Sequence, residues 1–196
     1  MDLAIVKYNA GNIFSVVNAF NRLGVNPVVT DNPEILCHAS HVVFPGQGEA
    51  GTTMKYLRER NLDKVIKSLR QPVLGICIGM QLMCRYSEEE NTDCLGIFDV
   101  DVKRFQPLKH EDKVPQMGWN SITDLKTGLF KDLDEGAFTY FIHSFYVPPC
   151  DWTIATTDYI QPYSSALHKD NFYATQFHPE KSGDIGEQIL TNFLNL

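Results

Sequence analysis

Apolar residues in the first half of the chain fall into short runs of the kind that form buried strands. These runs cover Leu3–Val6, Val25–Val29, Val42–Phe44 and Val73–Ile76. Between them, apolar positions in 13–23 and 53–69 recur at the spacing of a helix with one buried face. The pattern predicts strands that alternate with helices.

Such alternation favours an α/β fold with a mostly parallel central sheet, flanked by helices, and with functional sites at the carboxyl ends of the strands. After about Gly96 the pattern changes to shorter β-like segments, which predict extra antiparallel strands in the C-terminal half. These segments are 98–105, 120–122, 140–142, 152–156, 166–167 and 172–177, and a last helix is predicted over 183–194. With no linker or repeat, residues 1–196 are expected to form one domain.

Composition narrows the class of protein. Hydrophobic residues make up 43% and charged residues 21% of the 196 positions, as in ordinary globular proteins. The apolar run near the N-terminus is too short for a signal peptide or a membrane span, so we expect a cytoplasmic protein. A net charge of -7, with scattered basic residues, argues against nucleic-acid binding. The five cysteines lack paired C-x-x-C spacing and are interpreted as reduced thiols.

One cysteine lies in a G-x-C-x-G pattern that follows a predicted strand. Gly75 and Gly79 flank Cys77, and a helical run follows. In such a nucleophile elbow the glycines relieve crowding at a sharp turn, and the central side chain projects above the sheet near a helix N-terminus, which favours a thiolate. A buried structural cysteine is the commoner meaning of a lone thiol, but the flanking glycines favour a nucleophile.

A base and its orienting carboxylate are predicted near the other end of the chain. His178 and Glu180 are separated by Pro179, which restricts the backbone. Glu180 can accept a hydrogen bond from one imidazole nitrogen while the other faces Cys77, which gives a Cys-His-Glu triad. His-Pro-Glu on its own is more often a surface loop, so this interpretation depends on the elbow.

Together, the motifs at 75–81 and 176–180 resemble those of the class I (triad) glutamine amidotransferases, over essentially the full chain. The resemblance implies a flavodoxin-like α/β fold. Segments 8–12, 115–120 and 140–146 are further similar to the glutaminase subunits of imidazole glycerol phosphate synthases within that family. In such enzymes a glutaminase releases ammonia, which passes through a tunnel to a (β/α)8 cyclase in a heterodimer. The cyclase converts PRFAR to imidazole glycerol phosphate and AICAR in histidine biosynthesis, and the glutaminase requires neither metal nor organic cofactor.

The resemblance also implies roles for individual residues. It assigns the oxyanion hole to Gly46, Gln47 and Ile78, glutamine binding to Gly48, Gln81, Glu89, Ser144 and Phe145, and the cyclase-facing side to Asn12, Trp119, Asn120 and Lys181. The residues alone allow plainer interpretations. The acidic run at 88–90 is then a solvated face, the Pro-Gly-x-Gly pattern is a turn that ends a strand, and Trp119 is a core aromatic.

Gln47 stands where many amidotransferases have a second glycine of a Pro-Gly-Gly loop. We therefore hypothesise a conditional oxyanion hole, formed when the cyclase and its substrate reorient the backbone at 46–48. Three alternatives remain: a paralogue that supplies ammonia to another synthase, a stand-alone γ-glutamyl hydrolase, and a scaffold without activity.

Overall fold

The computed structural model describes residues 2–8, 13–46 and 48–196. The strands are β1 (Leu3–Val6), β2 (Val28–Thr30), β3 (His41–Phe44), β4 (Val73–Ile76), β5 (Cys84–Ser87), β6 (Thr92–Asp93), β7 (Phe98–Arg104), β8 (Gln116–Ile122), β9 (Ala137–His143), β10 (Phe145–Tyr146), β11 (Thr153–Asp158), β12 (Pro162–Lys169) and β13 (Phe172–Thr175). The α-helices are α1 (Phe14–Arg22), α2 (Pro33–His38), α3 (Ala50–Glu59), α4 (Leu62–Ser68), α5 (Ile78–Met83) and α6 (Gly183–Leu194). Short 3-10 helices cover Glu89–Asn91, Gly128–Phe130 and Pro179–Lys181.

The central sheet has the strand order β11-β12-β13-β4-β3-β1-β2 within the described residues. The pairs from β13 to β2 are all parallel, whereas β12 runs antiparallel to both β11 and β13. The predicted mostly parallel sheet with antiparallel strands from the C-terminal half is therefore confirmed.

The pairing of β13 with β4 brings distant parts of the sequence together. Thr175 lies beside Ile76, the last residue of β4. Because the two strands run parallel and end at the same level, the residues that follow them leave the sheet side by side. Cys77 and the segment 176–180 thus meet at one carboxyl edge, where α/β sheets place their sites.

Apolar side chains cover both faces of the central sheet. Val42 and Phe44 of β3 pack into one cluster with α3 and α4, while Val43 between them packs into the other with α1 and α6. Burial on both faces explains why these strands appear as continuous apolar runs instead of alternating patterns. Across the described ranges, none of the helices has the length and apolar character needed to cross a membrane.

Two smaller β units lie outside the central sheet. One has the order β10-β7-β5-β6, and the other is the antiparallel hairpin of β8 and β9. The hairpin joins the central sheet through the bridge of Thr123 with Thr156, and joins the segment after β13 through a hydrogen bond from the His178 N–H to the Tyr140 carbonyl (2.9 Å). The hairpin therefore lies directly beside the site.

The prediction of one continuous helix over 53–69 is wrong. Two helices, α3 and α4, occupy this region, and α3 begins at Ala50. Asn61 separates them in a left-handed conformation with a φ of 56°, which asparagine tolerates better than most residues. Helix α2 was not predicted, although Asn32 caps it by accepting a hydrogen bond from the Glu34 N–H (2.8 Å) with Pro33 at its first turn.

We predict that Gly186→Ala destabilises the protein. A Cβ at this position of α6 would collide with the Pro179 carbonyl and lie 3.0 Å from Ser182 Cβ. Overpacking of this kind costs about 1–3 kcal/mol, which for a chain of this size lowers the melting temperature by several degrees. Thermal unfolding followed by circular dichroism measures the change.

Gly128→Ala is the matched control, because its nearest atom would be the flexible end of Leu196 at 3.4 Å. It should change the free energy of unfolding by no more than about 0.5 kcal/mol. Equal melting temperatures for the two variants would contradict the steric argument.

Candidate active site

Cys77 occupies a strained turn between β4 and α5. Its φ is 51° and its ψ is -109°, a conformation that costs a residue with a side chain on the order of 1–3 kcal/mol. The predicted elbow is therefore a sharp backbone reversal. The thiol lies at the first turn of α5, where backbone N–H groups and the helix dipole favour negative charge.

Three glycines let the backbone close around this turn. A Cβ on Gly79 would collide with the Phe44 carbonyl, and a Cβ on Gly75 would lie 3.0 Å from the Gly79 carbonyl. A Cβ on Gly46 would collide with the Ile76 carbonyl and lie 2.7 Å from Cys77 Cβ. The end of β3 therefore passes directly against the nucleophile, at a separation that excludes larger residues.

His178 and Glu180 form a buried pair beside the thiol. The imidazole Nδ1 lies 2.7 Å from Glu180 Oε1, and the two side chains are 4% and 1% exposed. Because a carboxylate only accepts, Nδ1 carries the proton that it donates. The second ring nitrogen remains for Cys77, with which the imidazole also interacts.

The charge of His178 follows from these neighbours. Burial lowers its pKa, but the charge and hydrogen bond of Cys77 and the hydrogen bond to Glu180 outweigh burial and raise the pKa to about 10. The opposite holds for His143, whose pKa falls to about 4, chiefly through burial. At neutral pH the site thus contains an imidazolium at His178 and a neutral imidazole at His143, whose Nδ1 donates to the Phe145 carbonyl (2.7 Å). His178 is the histidine suited to pair with a thiolate.

A cavity of about 320 Å³ opens in front of the thiol. It is lined by many of the predicted site residues: Gly46, Gly48, Cys77, Ile78, Gln81, Glu89, Ser144, Phe145, His178 and Lys181. Ile142 and His143 complete the lining. Gln47 and Asn12 lie outside the described residues.

Glu89 is the member of the acidic run that faces the cavity. Its Oε2 accepts a hydrogen bond from the Ala50 N–H at the start of α3 (2.9 Å), and burial raises its pKa. Glu88 instead accepts from the Arg104 N–H (2.7 Å), and Glu90 packs against Gly51. The cavity therefore has one carboxylate supported by a helix N-terminus.

Two buried glutamines lie behind the thiol. Gln81 Nε2 donates to the Phe145 carbonyl (3.0 Å) and to Gln176 Oε1 (2.9 Å), and Gln176 Nε2 donates to Cys77 Sγ (3.7 Å). Gln176 was not assigned a role from the sequence. Its relation to the thiol depends on the alignment of β13 with β4, which the sequence pattern did not predict.

Strand β9 holds both halves of the triad along one edge. The Tyr140 carbonyl accepts from the His178 N–H (2.9 Å), and the Ile142 carbonyl lies 3.7 Å from Cys77 Sγ. Ser182 reinforces the contact: its hydroxyl accepts from the Tyr140 N–H (3.0 Å) and donates to the His178 carbonyl (2.7 Å). No local pattern indicated this role of Ser182 beyond its closeness to His178.

The outer surface of the hairpin is apolar and exposed. Met117, Trp119 and Phe138 are 63%, 56% and 57% exposed, and they alternate with inward residues along β8 and β9. With the half-buried Tyr140 and Ile142 they form what we call the hairpin face. Lys181 borders it, with Nζ 5.9 Å from the Tyr140 ring centre.

Asn120 differs from Trp119 in its surroundings. Its Nδ2 donates to the Asp158 carbonyl (2.8 Å), and its Oδ1 accepts from the Ser121 N–H (2.8 Å). The bond to Asp158 fastens the hairpin to the end of β11. The interface role predicted for Asn120 stays a prediction, whereas Trp119 presents its ring to the outside.

Comparisons with known proteins agree on the family and on the fold. The family model described as "Glutamine amidotransferase class-I" matches residues 5–196. The chain is 66% identical to "Imidazole glycerol phosphate synthase subunit HisH" of Bacteroides thetaiotaomicron and 64% identical to the protein of that name in Bacteroides fragilis, over 196 residues and 100% of each chain. The crystal structure of a putative GMP synthase protein from Thermoplasma acidophilum superposes with a TM-score of 0.77 at 21% identity. That superposition covers 100% of this chain and 93% of the other, and it shows the shared fold.

We predict that the pKa of His178 depends on Cys77. The wild-type imidazole should keep its proton through neutral pH and lose it near pH 10. In Cys77→Ser the negatively charged partner is absent. Only Glu180 then raises the pKa of His178 against the lowering effect of burial, so the imidazole should lose its proton at a lower pH. Titration of the imidazole by NMR measures this directly.

Cys150→Ser is a control at a thiol that contacts Thr153 instead of His178. It should leave the His178 titration unchanged. A His178 pKa that is equal in wild type and Cys77→Ser would refute the ion pair.

Proposed function

The chain belongs to the class-I glutamine amidotransferase family, and we propose that it is the glutaminase subunit of an imidazole glycerol phosphate synthase. In this function it hydrolyses glutamine to glutamate and passes the ammonia to a cyclase. The observation that carries the proposal is the thiol of Cys77 at the wall of a cavity of about 320 Å³, where it interacts with His178 of the buried His178–Glu180 pair. The similarity to subunits named HisH over the full chain supports the pathway.

The polar atoms of the cavity fit the two ends of an amino acid. Both N–H groups of the Gln81 amide are bonded within the protein, so its Oε1 is the atom left for a ligand. Gln81 Oε1 and the Glu89 carboxylate are both acceptors and suit an α-ammonium group. The α-carboxylate needs donors instead, and we assign this role to the backbone N–H groups of Ser144 and Phe145, which also line the cavity. The side-chain amide then extends towards Cys77.

The triad performs the chemistry in two stages. The Cys77 thiolate attacks the amide carbonyl of glutamine, and the His178 imidazolium donates its proton to the nitrogen, which leaves as ammonia. A γ-glutamyl thioester remains. His178, now neutral, accepts a proton from water, whose hydroxide attacks the thioester and releases glutamate and the thiolate. Glu180 holds the imidazole and stabilises its charge throughout.

The oxyanion of each stage needs backbone donors. Ile78 is the first residue of α5, and its N–H belongs to the helix turn that cannot pair within the helix. The second donor comes from the segment 46–48, which passes against Cys77 at Gly46. Removing one such donor weakens the stabilisation of the transition state by about 2.7–4 kcal/mol. The orientation of this segment is therefore sufficient to switch the activity. This is the basis of the conditional oxyanion hole at Gln47.

The hairpin face is the proposed docking site for the cyclase, a (β/α)8 barrel. It exposes aromatic and sulfur-containing side chains, which are enriched at the centre of protein interfaces. Lys181 adds a cation at its border and also lines the cavity. The face and the cavity are therefore adjacent, as the transfer of ammonia between subunits requires.

The same arrangement offers a route for activation. A partner that binds the hairpin face contacts the side chains of Tyr140 and Ile142, whose backbone atoms touch His178 and Cys77. A small shift of β9 therefore acts on both halves of the triad. A stand-alone γ-glutamyl hydrolase has no need of such an exposed apolar face, which favours the subunit over this alternative.

We predict that the isolated chain releases glutamate slowly. Addition of the cyclase with its PRFAR-type substrate should raise the rate by on the order of a hundred- to a thousandfold, the value of one oxyanion donor. Cys77→Ala should abolish the activated rate, by at least about a thousandfold. Glutamate is measured with a coupled dehydrogenase.

Cys37→Ser, at an exposed thiol, is the matched control and should keep full activity. A high rate in the isolated chain that neither addition changes would contradict the conditional oxyanion hole. Ammonia release by Cys77→Ala would contradict the nucleophile.

We also predict that Trp119→Ala weakens the complex with the cyclase. Loss of an interface aromatic of this kind costs about 2 kcal/mol, or roughly a thirtyfold rise in Kd. Isothermal titration calorimetry gives the affinity. Val28→Ala, at a similarly exposed position on the far edge strand β2, should leave it unchanged. Equal affinities for the two variants would remove the hairpin face from the interface.

A further inference from the structure

Cys77 is held at three points by one short segment, residues 175–178, at the end of β13. The Thr175 carbonyl accepts the Cys77 N–H (2.7 Å), Gln176 Nε2 donates to its sulfur (3.7 Å), and the His178 imidazole pairs with the same sulfur. The backbone bond fixes the position of the residue, and the imidazole provides the base. The contact of Gln176 has no place in the triad mechanism.

The orientation of the Gln176 amide is determined by its neighbours. A carbonyl oxygen only accepts, so the end of Gln81 that faces the Phe145 carbonyl is its NH₂ group. The other hydrogen of that NH₂ group points to Gln176, which must present its oxygen there. The NH₂ group of Gln176 therefore faces Cys77 Sγ. The reverse orientation would set two NH₂ groups against each other.

A buried N–H group aimed at sulfur favours the thiolate over the thiol. Hydrogen bonds to the charged form of an acid lower its pKa, and they are stronger where water is excluded. Gln176 is completely buried, so water does not compete for its amide. Its donor stabilises negative charge on the sulfur both before attack on the carbonyl and when the thioester is cleaved.

We propose that Gln176 is a further catalytic residue, which holds the Cys77 thiolate through an N–H···S hydrogen bond in an orientation set by Gln81. The inference rests on the proposed function, in which this thiolate is the nucleophile. It adds a link between binding and chemistry: the α-ammonium group at Gln81 Oε1 polarises the Gln81 amide, which in turn polarises Gln176. The hydrogen-bonded chain then runs from the substrate's amino end to the reactive sulfur.

The test is the pH profile of Cys77 alkylation by iodoacetamide, in the isolated chain with Cys37→Ser to remove the exposed thiol. Peptide mass spectrometry assigns the modified residue. Gln176→Met has a similar length and no donor, and Gln176→Asn keeps an amide that is too short to reach the sulfur. In both, the sulfur loses a donor that stabilises its negative charge, so alkylation of Cys77 on the rising part of the pH profile should be roughly tenfold slower than in wild type.

Gln116→Met is the matched control, because Gln116 is similarly buried but accepts its bond from the Tyr163 hydroxyl. Its alkylation profile should match wild type. Thermal unfolding identifies the folded variants, and a wild-type profile in a folded Gln176 variant, or an equal shift in Gln116→Met, overturns the proposal. Alkylation uses no glutamine, so this result is separate from the proposed function. Even if the chain did not hydrolyse glutamine, the alkylation rate would still show whether Gln176 acts on the Cys77 sulfur.

Discussion

The close approach of backbone to backbone at Cys77 is the constraint on which the site depends. Gly79 abuts the Phe44 carbonyl, and Gly46 abuts the Ile76 carbonyl, so β3, β4 and α5 converge within the space of a missing side chain. This convergence forces the positive φ of Cys77 and keeps its thiol at the start of α5. The strain is maintained because apolar clusters on both faces of the sheet anchor the strands. Packing of the whole core thus offsets the conformational strain at Cys77.

A second constraint is the position of β13 next to β4. The parallel register ends both strands at the same level and delivers Gln176 and His178 to the thiol from one side. Strand β9 approaches from another side and fixes the same groups through Tyr140 and Ile142. The reactive thiol therefore lies where β4, β13 and β9 meet. Each of them contributes backbone atoms, which side-chain substitution cannot remove.

The sequence predicted the elements whose signals are local. Buried strands, the G-x-C-x-G elbow and the His-Pro-Glu segment were evident because each is a short pattern with a physical cause. Helix α2 was missed despite its Asn-Pro-Glu start, and the break at Asn61 was hidden by continuous apolar spacing. The relations of Gln176 and Ser182 to the triad depend on strand order and register, which local pattern does not encode. The inward bonds of Asn120 likewise follow from the alternation of β8 once its pairing with β9 is known.

The electrostatics of the cavity explain why two histidines in one site differ in charge. His143 lies among aromatic rings and donates to a backbone carbonyl, so burial keeps it neutral. His178 is equally deep but has Cys77 and Glu180 as partners, which make its cation the favoured form. The neutral ring fixes the Phe145 carbonyl, which in turn orients Gln81 and Gln176. Thus the histidine outside the triad helps to set the hydrogen bonds around the thiol, and of the two histidines it is His178 that carries the charge needed to donate a proton.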